Sequence, residues 1–584
     1  MRGLRQRRGG AISRLDSAVG LVLGLALFWL AAWQLDGLGA GWTAAIPHGV
    51  NEDWDWQLTL WELGRTALRD GHLPEWNAYT GGGQPAWANP EQPFLYPGYL
   101  LTLGLSTEHA IRVLTLAHQG LAILGFWMLG RSWGLRGWSA HAASLLLLTS
   151  AFLPGFVGWG HIMFLPIGWL PLALVAAHRK RWWLSGFCLA MPALAGGHYL
   201  AVYGVLWLVA DGLARSVEGG RLRWLALALA ANGLMLGLPW WTAAPLVAAA
   251  LLQRSGRSQM APVAGALGVA ALLSAPKWLP VLLVAPYLER FGQVHGAEIA
   301  DPYTLGLAVD VLRGAVERPS GHEGQNVFWT VVPLLGVPGL LWAAWRKPAM
   351  AAPLWLLWCF GWAGSTPLNL FEPVHALPGV SSLRVVERFA LLWTPALGFG
   401  LGFLVDRLRW AAVPVAGALA WHVSVAAPQA AGLQRLGPGP EVTLPAGEFK
   451  QTRDELTNLQ ALRANRGKVD CTSAAALTRP APVLAVTDLG YRGEAWNGRG
   501  PVDVLVEGDL VVADVAVTLN QSWFPGWPGE PDEHGFVVLP SGGGEYRAPG
   551  LNVSWGPAAL APCLALLLAV RRLRGRGPSS RRGR

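Results

Sequence analysis

The sequence predicts a mainly α-helical protein that crosses a membrane many times, and three observations lead to this fold class. Of its 584 residues, 52% are hydrophobic and only 14% are charged, whereas a soluble globular protein has about 25% charged residues. Apolar stretches recur along the chain, with lysines and arginines clustered between them. The chain also has 33 tryptophans, whose amphipathic rings favour the membrane–water boundary. The net charge of +9 therefore indicates membrane topology and not nucleic-acid binding.

The first apolar stretch follows a basic N-terminus and covers residues 18–33. A cleaved signal peptide has the same order of a basic start and an apolar core. This stretch is long for such a core, however, and no cleavage motif of small residues follows it. We therefore predict a retained first helix with a cytoplasmic N-terminus.

A spanning helix needs roughly 20 apolar residues, and about fourteen segments meet that condition. After the first, they are 108–130, 137–157, 161–178, 181–197, 198–215, 223–240, 241–253, 260–287, 327–345, 349–366, 388–405, 409–428 and 554–571. Basic clusters occupy alternate connections, and the other connections, which hold most of the acidic residues, are 51–106, 288–326, 367–387 and 429–553. Because basic residues concentrate on the cytoplasmic side, both termini are predicted inside and the long polar connections outside.

The segment 429–553 differs from the rest in composition. It is rich in glycine, proline and valine, and residues 502–506 and 510–517 alternate between apolar and polar in places. Such runs bounded by glycine and proline are typical of strands and turns. We therefore predict three parts: a membrane domain, 1–428, which includes the first outer loop 37–107; a small external β-rich domain, 429–553; and a final helix with a basic cytoplasmic tail, 554–584.

The first outer loop carries the densest set of polar residues. Asp53 and Asp55 lie where the first helix should leave the membrane, and residues 57–70 have the pattern of an amphipathic interfacial helix. Carboxylates at this boundary could act as a general base for a hydroxyl. They could also hold a divalent cation such as Mg²⁺ or Mn²⁺, with Asp53, Asp55 or Glu91 as its ligands. The alternative is that they only keep the loop solvated.

Short motifs in this loop and beyond resemble the YfhO-like family of bacterial membrane proteins. In the loop they are Asp53 to Gln57, GHLPEWNAY at 71–79, GGQP at 82–85, ANP at 88–90 and YP at 96–97. Further on they are Gly160-His161, Gly197-His198 with Tyr203, LSAPKWLP at 273–280, LRVVERF at 383–389 and QSWFPGW at 521–527.

This resemblance implies a GT-C type membrane glycosyltransferase. Such an enzyme has an acidic residue in its first outer loop and uses a polyprenyl-phosphate-linked sugar as donor. We therefore expect transfer to an envelope glycan or lipid acceptor at the outer, periplasmic or extracellular, face of the bacterial cytoplasmic membrane. The expected partners are membrane lipids, the lipid-linked sugar and its acceptor, and not nucleic acid.

The candidate catalytic residues are Asp53, then Asp55, and Glu91 as a second carboxylate. The candidate substrate-binding residues are Gln57, Asn89, His161, His198, Lys277, Arg384 and Arg388. The two arginines break the basic-inside pattern, and guanidinium groups bind phosphate bidentately. Each also has a plainer interpretation: the histidines as interfacial hydrogen-bonding groups, the arginines as partners of Glu387 or of lipid headgroups, and the lysine as a snorkelling side chain.

Two other functions compete with this one. A transporter or flippase for a lipid-linked glycan should have charged residues in the middle of its spans, whereas the charges here cluster near span ends. A non-catalytic envelope-assembly scaffold would keep the fold without the chemistry.

Overall fold

The computed structural model describes residues 2–35, 52–216 except His72, Gly82 and Trp159, 260–284, 330–361, 386–407, 412–434 and interrupted parts of 449–547. Among the predicted features, the spans 223–240, 241–253 and 554–571 lie outside the described residues. The same is true of the connection 288–326, of Arg384 and of most of the 521–527 motif.

Helices dominate the described part of the chain, as the sequence predicts. They are α1 (Arg2–Gln34), α2 (Glu52–Arg69), α3 (Thr107–Ser132), α4 (Ala142–Thr149), α5 (Phe152–Gly158), α6 (Trp169–His178), α7 (Trp182–Leu194), α8 (His198–Ser216), α9 (Met260–Val284), α10 (Gly336–Arg346), α11 (Pro348–Gly361), α12 (Trp393–Arg407), α13 (Ala412–Gln434) and the short α14 (Asn458–Arg463). Turns of 3₁₀-helix cover Pro97–Leu103, Ser139–His141, Ile162–Gly168, Val332–Leu335 and Val386–Leu392.

Within this part of the chain, five helical segments are long and apolar enough to cross a membrane. They are Leu15–Gln34, Thr107–Ser132, Ser139–Gly158, Ala261–Val284 and Arg388–Arg407. The chain is therefore a membrane protein. The first of these segments exposes large apolar side chains, among them Leu21, Val22 and Trp29, as a lipid-facing helix does. The total of about fourteen spans and the direction of each helix stay predictions.

The chain folds into two compact units. The first comprises residues 1–58, 97–267 and 293–441, and its helices pack closely where glycines face one another. Between α10 and α12, a Cβ atom on Gly339 would lie 1.7 Å from the carbonyl oxygen of Gly400. Small residues let helix backbones approach in this way inside membranes, where lipid is as apolar as a leucine side chain.

The second unit comprises residues 59–96, 268–292 and 442–584. Its strands are β1 (Trp76–Asn77), β2 (Gln84–Pro85), β3 (Lys450–Thr452), β4 (Arg466–Lys468), β5 (Ala495–Asn497), β6 (Gly500–Pro501), β7 (Leu505–Glu507), β8 (Leu510–Ala513), β9 (Val517–Ser522), β10 (Glu530–Pro531), β11 (Phe536–Leu539) and β12 (Gly544–Arg547). They form a five-stranded sheet, β10-β11-β9-β5-β6, a three-stranded sheet, β12-β8-β7, and the pairs β1-β2 and β3-β4. Small sheets thus occur in the predicted β-rich segment. A single external domain at 429–553 stays a prediction.

In the second unit, the first outer loop packs against the segment that contains β3 and β4. The hydroxyl of Tyr79 donates to Oδ1 of Asn465 at 3.2 Å, and its ring meets that of Phe449 edge-on. The loop itself turns through Gly81 and Gly83, both with positive φ. A Cβ atom on Gly83 would come within 2.7 Å of the Trp76 ring, so this turn requires glycine.

Helix α2 covers the segment that the sequence predicts to be an interfacial helix. Most of its side chains, however, are buried and do not lie on a lipid surface. Most of its side chains from residue 56 to residue 64 are buried, including the polar Gln57 and Glu62. Glu62 pairs with Arg65 at 2.7 Å and with Arg463 at 3.6 Å. The helix is therefore packed inside protein and not spread on a lipid surface. An apolar stripe predicts burial, but it does not distinguish lipid from protein as the covering material.

Candidate functional site

Three of the predicted site residues lie in a row in the first unit. Nε2 of His161 is 3.4 Å from Oδ2 of Asp53 and 3.4 Å from Nη2 of Arg388. His161 and Arg388 are buried, whereas the side chain of Asp53 is 50% exposed. One ring nitrogen carries either a hydrogen or a lone pair, so it donates to Asp53 or accepts from Arg388, depending on where the imidazole proton lies. The row thus joins an accessible carboxylate to a buried cation.

The position of His161 follows from the way α5 ends. Gly160 has φ +86°, its N–H donates to the carbonyl of Val157, and the N–H of His161 donates to the carbonyl of Phe156. These two bonds form a Schellman motif, which ends a helix with glycine in the left-handed conformation. The imidazole is therefore fixed immediately after a rigid helix end.

Gly160 also fixes the start of α2. A Cβ atom at this position would lie 2.5 Å from the backbone nitrogen of Trp54 and 2.9 Å from the carbonyl carbon of Asp53. The indole of Trp54 donates to the carbonyl of Gly158 at 2.9 Å. The carboxylate of Asp53 is thus presented to His161 because the two backbones touch at a glycine.

We expect Gly160→Ala to lower the activity of this site by about a hundredfold, since a displacement of about 1 Å at a reacting group has an effect of that size. The added methyl group must push the start of α2 away from His161. The measurement is the rate of glycosyl transfer by purified protein, normalised to folded protein from size-exclusion chromatography.

Gly71→Ala is the matched control, because Gly71 has nearly the same backbone conformation, φ +82°, with open space around its Cβ position. It tests the strain of the left-handed conformation alone, which costs about 1–2 kcal/mol. If both variants lost activity equally, contact with the Asp53–Trp54 backbone would not be what positions the carboxylate.

Two aromatic rings lie beside the guanidinium of Arg388. Its central carbon lies 5.1 Å from the ring centroid of Tyr199 and 5.8 Å from that of Phe164. Phe164 stacks on Phe156 at 4.1 Å, and all three rings are buried. Ring faces attract a cation electrostatically. Arg388 therefore places a positive charge beside buried rings and next to His161.

Three other predicted residues of this unit, His198, Gln57 and Asp55, are not members of the row. His198 lies two residues after Gly196, which has φ +89° and ends the preceding helix. Its ring packs on Tyr199 at 4.8 Å, and Tyr199 in turn contacts Arg388. Gln57 is one helical turn beyond Asp53 and shares its face of α2, whereas Asp55 is two residues on and points elsewhere.

A second group of predicted residues lies in the other unit. Lys277 is fully buried on α9, and its Nζ donates to the carbonyl oxygen of Gln92 at 2.6 Å. Glu91 acts on it electrostatically, and Oδ1 of Asn89 accepts the N–H of Glu91 at 2.9 Å. Lys277 thus holds the turn of the first outer loop at residues 89–92. Its predicted contact with a lipid phosphate stays a prediction.

A divalent cation finds no ready ligand set in the part of the chain that is described. No group of three or more His, Cys, Asp or Glu side chains there could hold a metal ion. The neighbours of Asp53 in the row are an imidazole and a guanidinium, and a positive charge does not favour a second cation beside it. The described residues therefore do not fit a metal at Asp53, and we assign no step to one.

The sequence did not indicate the rings that lie beside Arg388. Phe164 and Tyr199 belong to apolar helical stretches, where an aromatic residue signals only burial. The one available signal was local: Tyr199 directly follows the Gly-His pair at 197–198, and Phe164 lies three residues after His161.

No protein-family model matches the sequence, and no curated protein matches it. Among solved structures, the mycobacterial arabinofuranosyltransferase AftD is similar with a TM-score of 0.45 and 17% identity, over 78% of this chain and 32% of that one. The Archaeoglobus fulgidus oligosaccharyltransferase in its apo form has a TM-score of 0.39 and 15% identity, over 76% of this chain and 64% of that one. The oligosaccharyltransferase AglB from the same organism, in complex with an inhibitory peptide and a dolichol-phosphate, has a TM-score of 0.39 and 16% identity over the same shares.

This chain thus spans about a third of the length of the first of these proteins and less than two thirds of the others. A likeness of this degree assigns no donor or acceptor to this chain.

Proposed function

We propose that the protein is a membrane glycosyltransferase that moves a sugar from a polyprenyl-phosphate carrier to a glycan or lipid acceptor of the cell envelope, at the outer face of the cytoplasmic membrane. The observation that carries this proposal is the row of Asp53, His161 and Arg388. An accessible carboxylate and a buried guanidinium flank one imidazole. A transfer that takes a proton from an acceptor and releases an anionic phosphate needs both groups close together.

Asp53 is assigned to the acceptor, because its carboxylate is the exposed member of the row. The acceptor oxygen forms a bond to the anomeric carbon of the sugar, and the bond from that carbon to the phosphate oxygen breaks. The electron pair stays on the phosphate, and the hydroxyl proton passes to the carboxylate. His161, 3.4 Å from Oδ2, orients that carboxylate.

Arg388 is assigned to the departing phosphate. Its planar guanidinium can donate two parallel hydrogen bonds to phosphate oxygens. It is buried beside aromatic rings, where its charge is screened less than in water. The negative charge that develops on the leaving group is therefore stabilised at the moment the glycosidic bond breaks.

The experiment that tests this function uses the full-length protein in liposomes. It is given polyprenyl-phosphate hexoses and pentoses, nucleotide sugars in parallel, and an envelope glycan fraction from cells lacking the gene. We expect release of polyprenyl phosphate from at least one lipid-linked sugar, dependent on the glycan fraction, and no consumption of nucleotide sugars. Heat-denatured protein serves as the control.

Two results would contradict the proposal. Movement of an intact lipid-linked sugar across the bilayer, without release of polyprenyl phosphate, would indicate a transporter. Failure to consume any lipid-linked donor, by protein whose expression restores the envelope of cells lacking the gene, would indicate an assembly scaffold.

A further inference from the structure

Tyr203 carries a buried hydroxyl that the chemistry above does not use. The side chain is 0% exposed, and its hydroxyl makes no hydrogen bond to any group that the structure describes. A buried hydroxyl without a partner destabilises a protein, and such groups are rare in native structures. An unpaired hydroxyl of this kind therefore needs an explanation, and a bound ligand is one.

The surroundings of Tyr203 point to the kind of ligand. It lies one turn after Tyr199 on the same face of α8, and the two rings meet at 6.2 Å. Its ring also contacts Phe389 at 5.2 Å, the residue next to Arg388. Arg388 acts on Tyr203 electrostatically. Tyr203 thus belongs to the same buried cluster as the guanidinium of Arg388, which also contacts Tyr199.

A hydroxyl and a guanidinium in one buried cluster share one kind of partner. Both donate hydrogen bonds, so a group that accepts from both must be rich in oxygen, and the positive charge of Arg388 favours an anion. The aromatic rings of this cluster suit a ligand with an apolar part. A phosphate monoester on an isoprenoid chain has both properties.

We propose that Tyr203 is a second ligand of the phosphate group, and that its hydroxyl donates to a phosphate oxygen held by Arg388. This inference rests on the proposed function and deepens it. The hydroxyl has no partner among the described residues because its partner is the lipid phosphate. Free protein is therefore less stable than it would be with phenylalanine at this position.

The test measures thermal unfolding and binding of the full-length protein in detergent, with farnesyl phosphate as the probe and farnesol as the same chain without phosphate. Tyr203→Phe removes only the hydroxyl. We expect this variant to unfold at the same temperature as the unsubstituted protein or higher, and to bind farnesyl phosphate about tenfold to a hundredfold more weakly. Farnesol should bind both proteins equally.

Ser185→Ala is the matched control. The hydroxyl of Ser185, on α7, is also buried and without a partner in the described residues, so its removal should likewise leave the free protein at least as stable. It should not change the affinity for farnesyl phosphate. A purely structural effect of losing a buried hydroxyl would appear in both variants.

The outcomes separate this inference from the proposed function. Equal affinity of Tyr203→Phe and unsubstituted protein for farnesyl phosphate would overturn the inference alone, as would a lower unfolding temperature of the free variant. Stronger binding of farnesol than of farnesyl phosphate by the unsubstituted protein would overturn the phosphate site itself, while release of polyprenyl phosphate from a lipid-linked sugar would still establish the transfer reaction.

Discussion

Asp53→Asn should lower the rate of glycosyl transfer by about two to four orders of magnitude, the usual contribution of a general base. Asparagine has the shape of aspartate but cannot take up a proton. The carboxylate is the accessible end of the row with His161 and Arg388, so no other group of the row can replace it. Binding of the lipid-linked donor should change little, because the phosphate is assigned to Arg388.

Asp55→Asn is the matched control for this substitution. Asp55 lies on the same helix two residues later, which places it about 200° further around the helix axis. The change of charge and the chemistry of the side chain are identical, and only the direction of the side chain differs. Both rates are measured as release of polyprenyl phosphate at equal amounts of folded protein. A loss confined to Asp55→Asn, or shared equally by both variants, would show that Asp53 is not the base.

Much of this site could be anticipated from the sequence because it is built from local signals. A glycine directly before a histidine at the end of an apolar stretch indicates a helix end, and Gly160 before His161 does have the left-handed conformation that such an end requires. At His198 the left-handed residue is Gly196, one position before the Gly197-His198 pair. The carboxylates follow the first predicted span, where an outer loop must begin. Asp53, His161 and Arg388 could therefore be identified as candidate site residues. The sequence could not show whether Asp53 or Asp55 is the catalytic carboxylate.

The partners of buried groups could not be anticipated, since they depend on contacts between distant segments. Lys277 donates to the carbonyl of Gln92, 185 residues earlier in the chain, and no periodicity predicts that pairing. The predicted span 137–157 is interrupted as well: α4 ends at Thr149, and Ser150 is extended. Hydropathy measures how apolar a segment is, and it does not register a break that tertiary packing stabilises.

The second large effect is expected at Arg388. Arg388→Gln should lower kcat/KM for the lipid-linked sugar by about a hundredfold to a thousandfold, the range found when one donor to a developing oxyanion is removed. Glutamine keeps a hydrogen-bonding group but not the charge. The loss should appear as weaker binding of the donor and as slower transfer, because the phosphate becomes more negative as its bond to the sugar breaks.

Arg388→Lys distinguishes recognition of phosphate from simple compensation of charge. Lysine keeps the positive charge, but it lacks the planar fork that donates two parallel bonds and that lies beside the rings of Tyr199 and Phe164. We therefore expect this variant to recover only part of the activity lost in Arg388→Gln. Arg179→Gln is the control for the loss of one arginine, because Arg179 is exposed at the end of α6, and its activity should be that of the unsubstituted protein.

If Arg388→Lys were fully active, the guanidinium would serve only as a charge, and the aromatic rings beside it would have no part in fixing its plane. If Arg388→Gln were also fully active, the phosphate would have to lie elsewhere, with Arg388 acting as a structural partner of His161 alone. Partial recovery by lysine is the one result that requires both the charge and the shape of arginine, and it is what a phosphate bound by both hydrogen bonds of a planar cation should give.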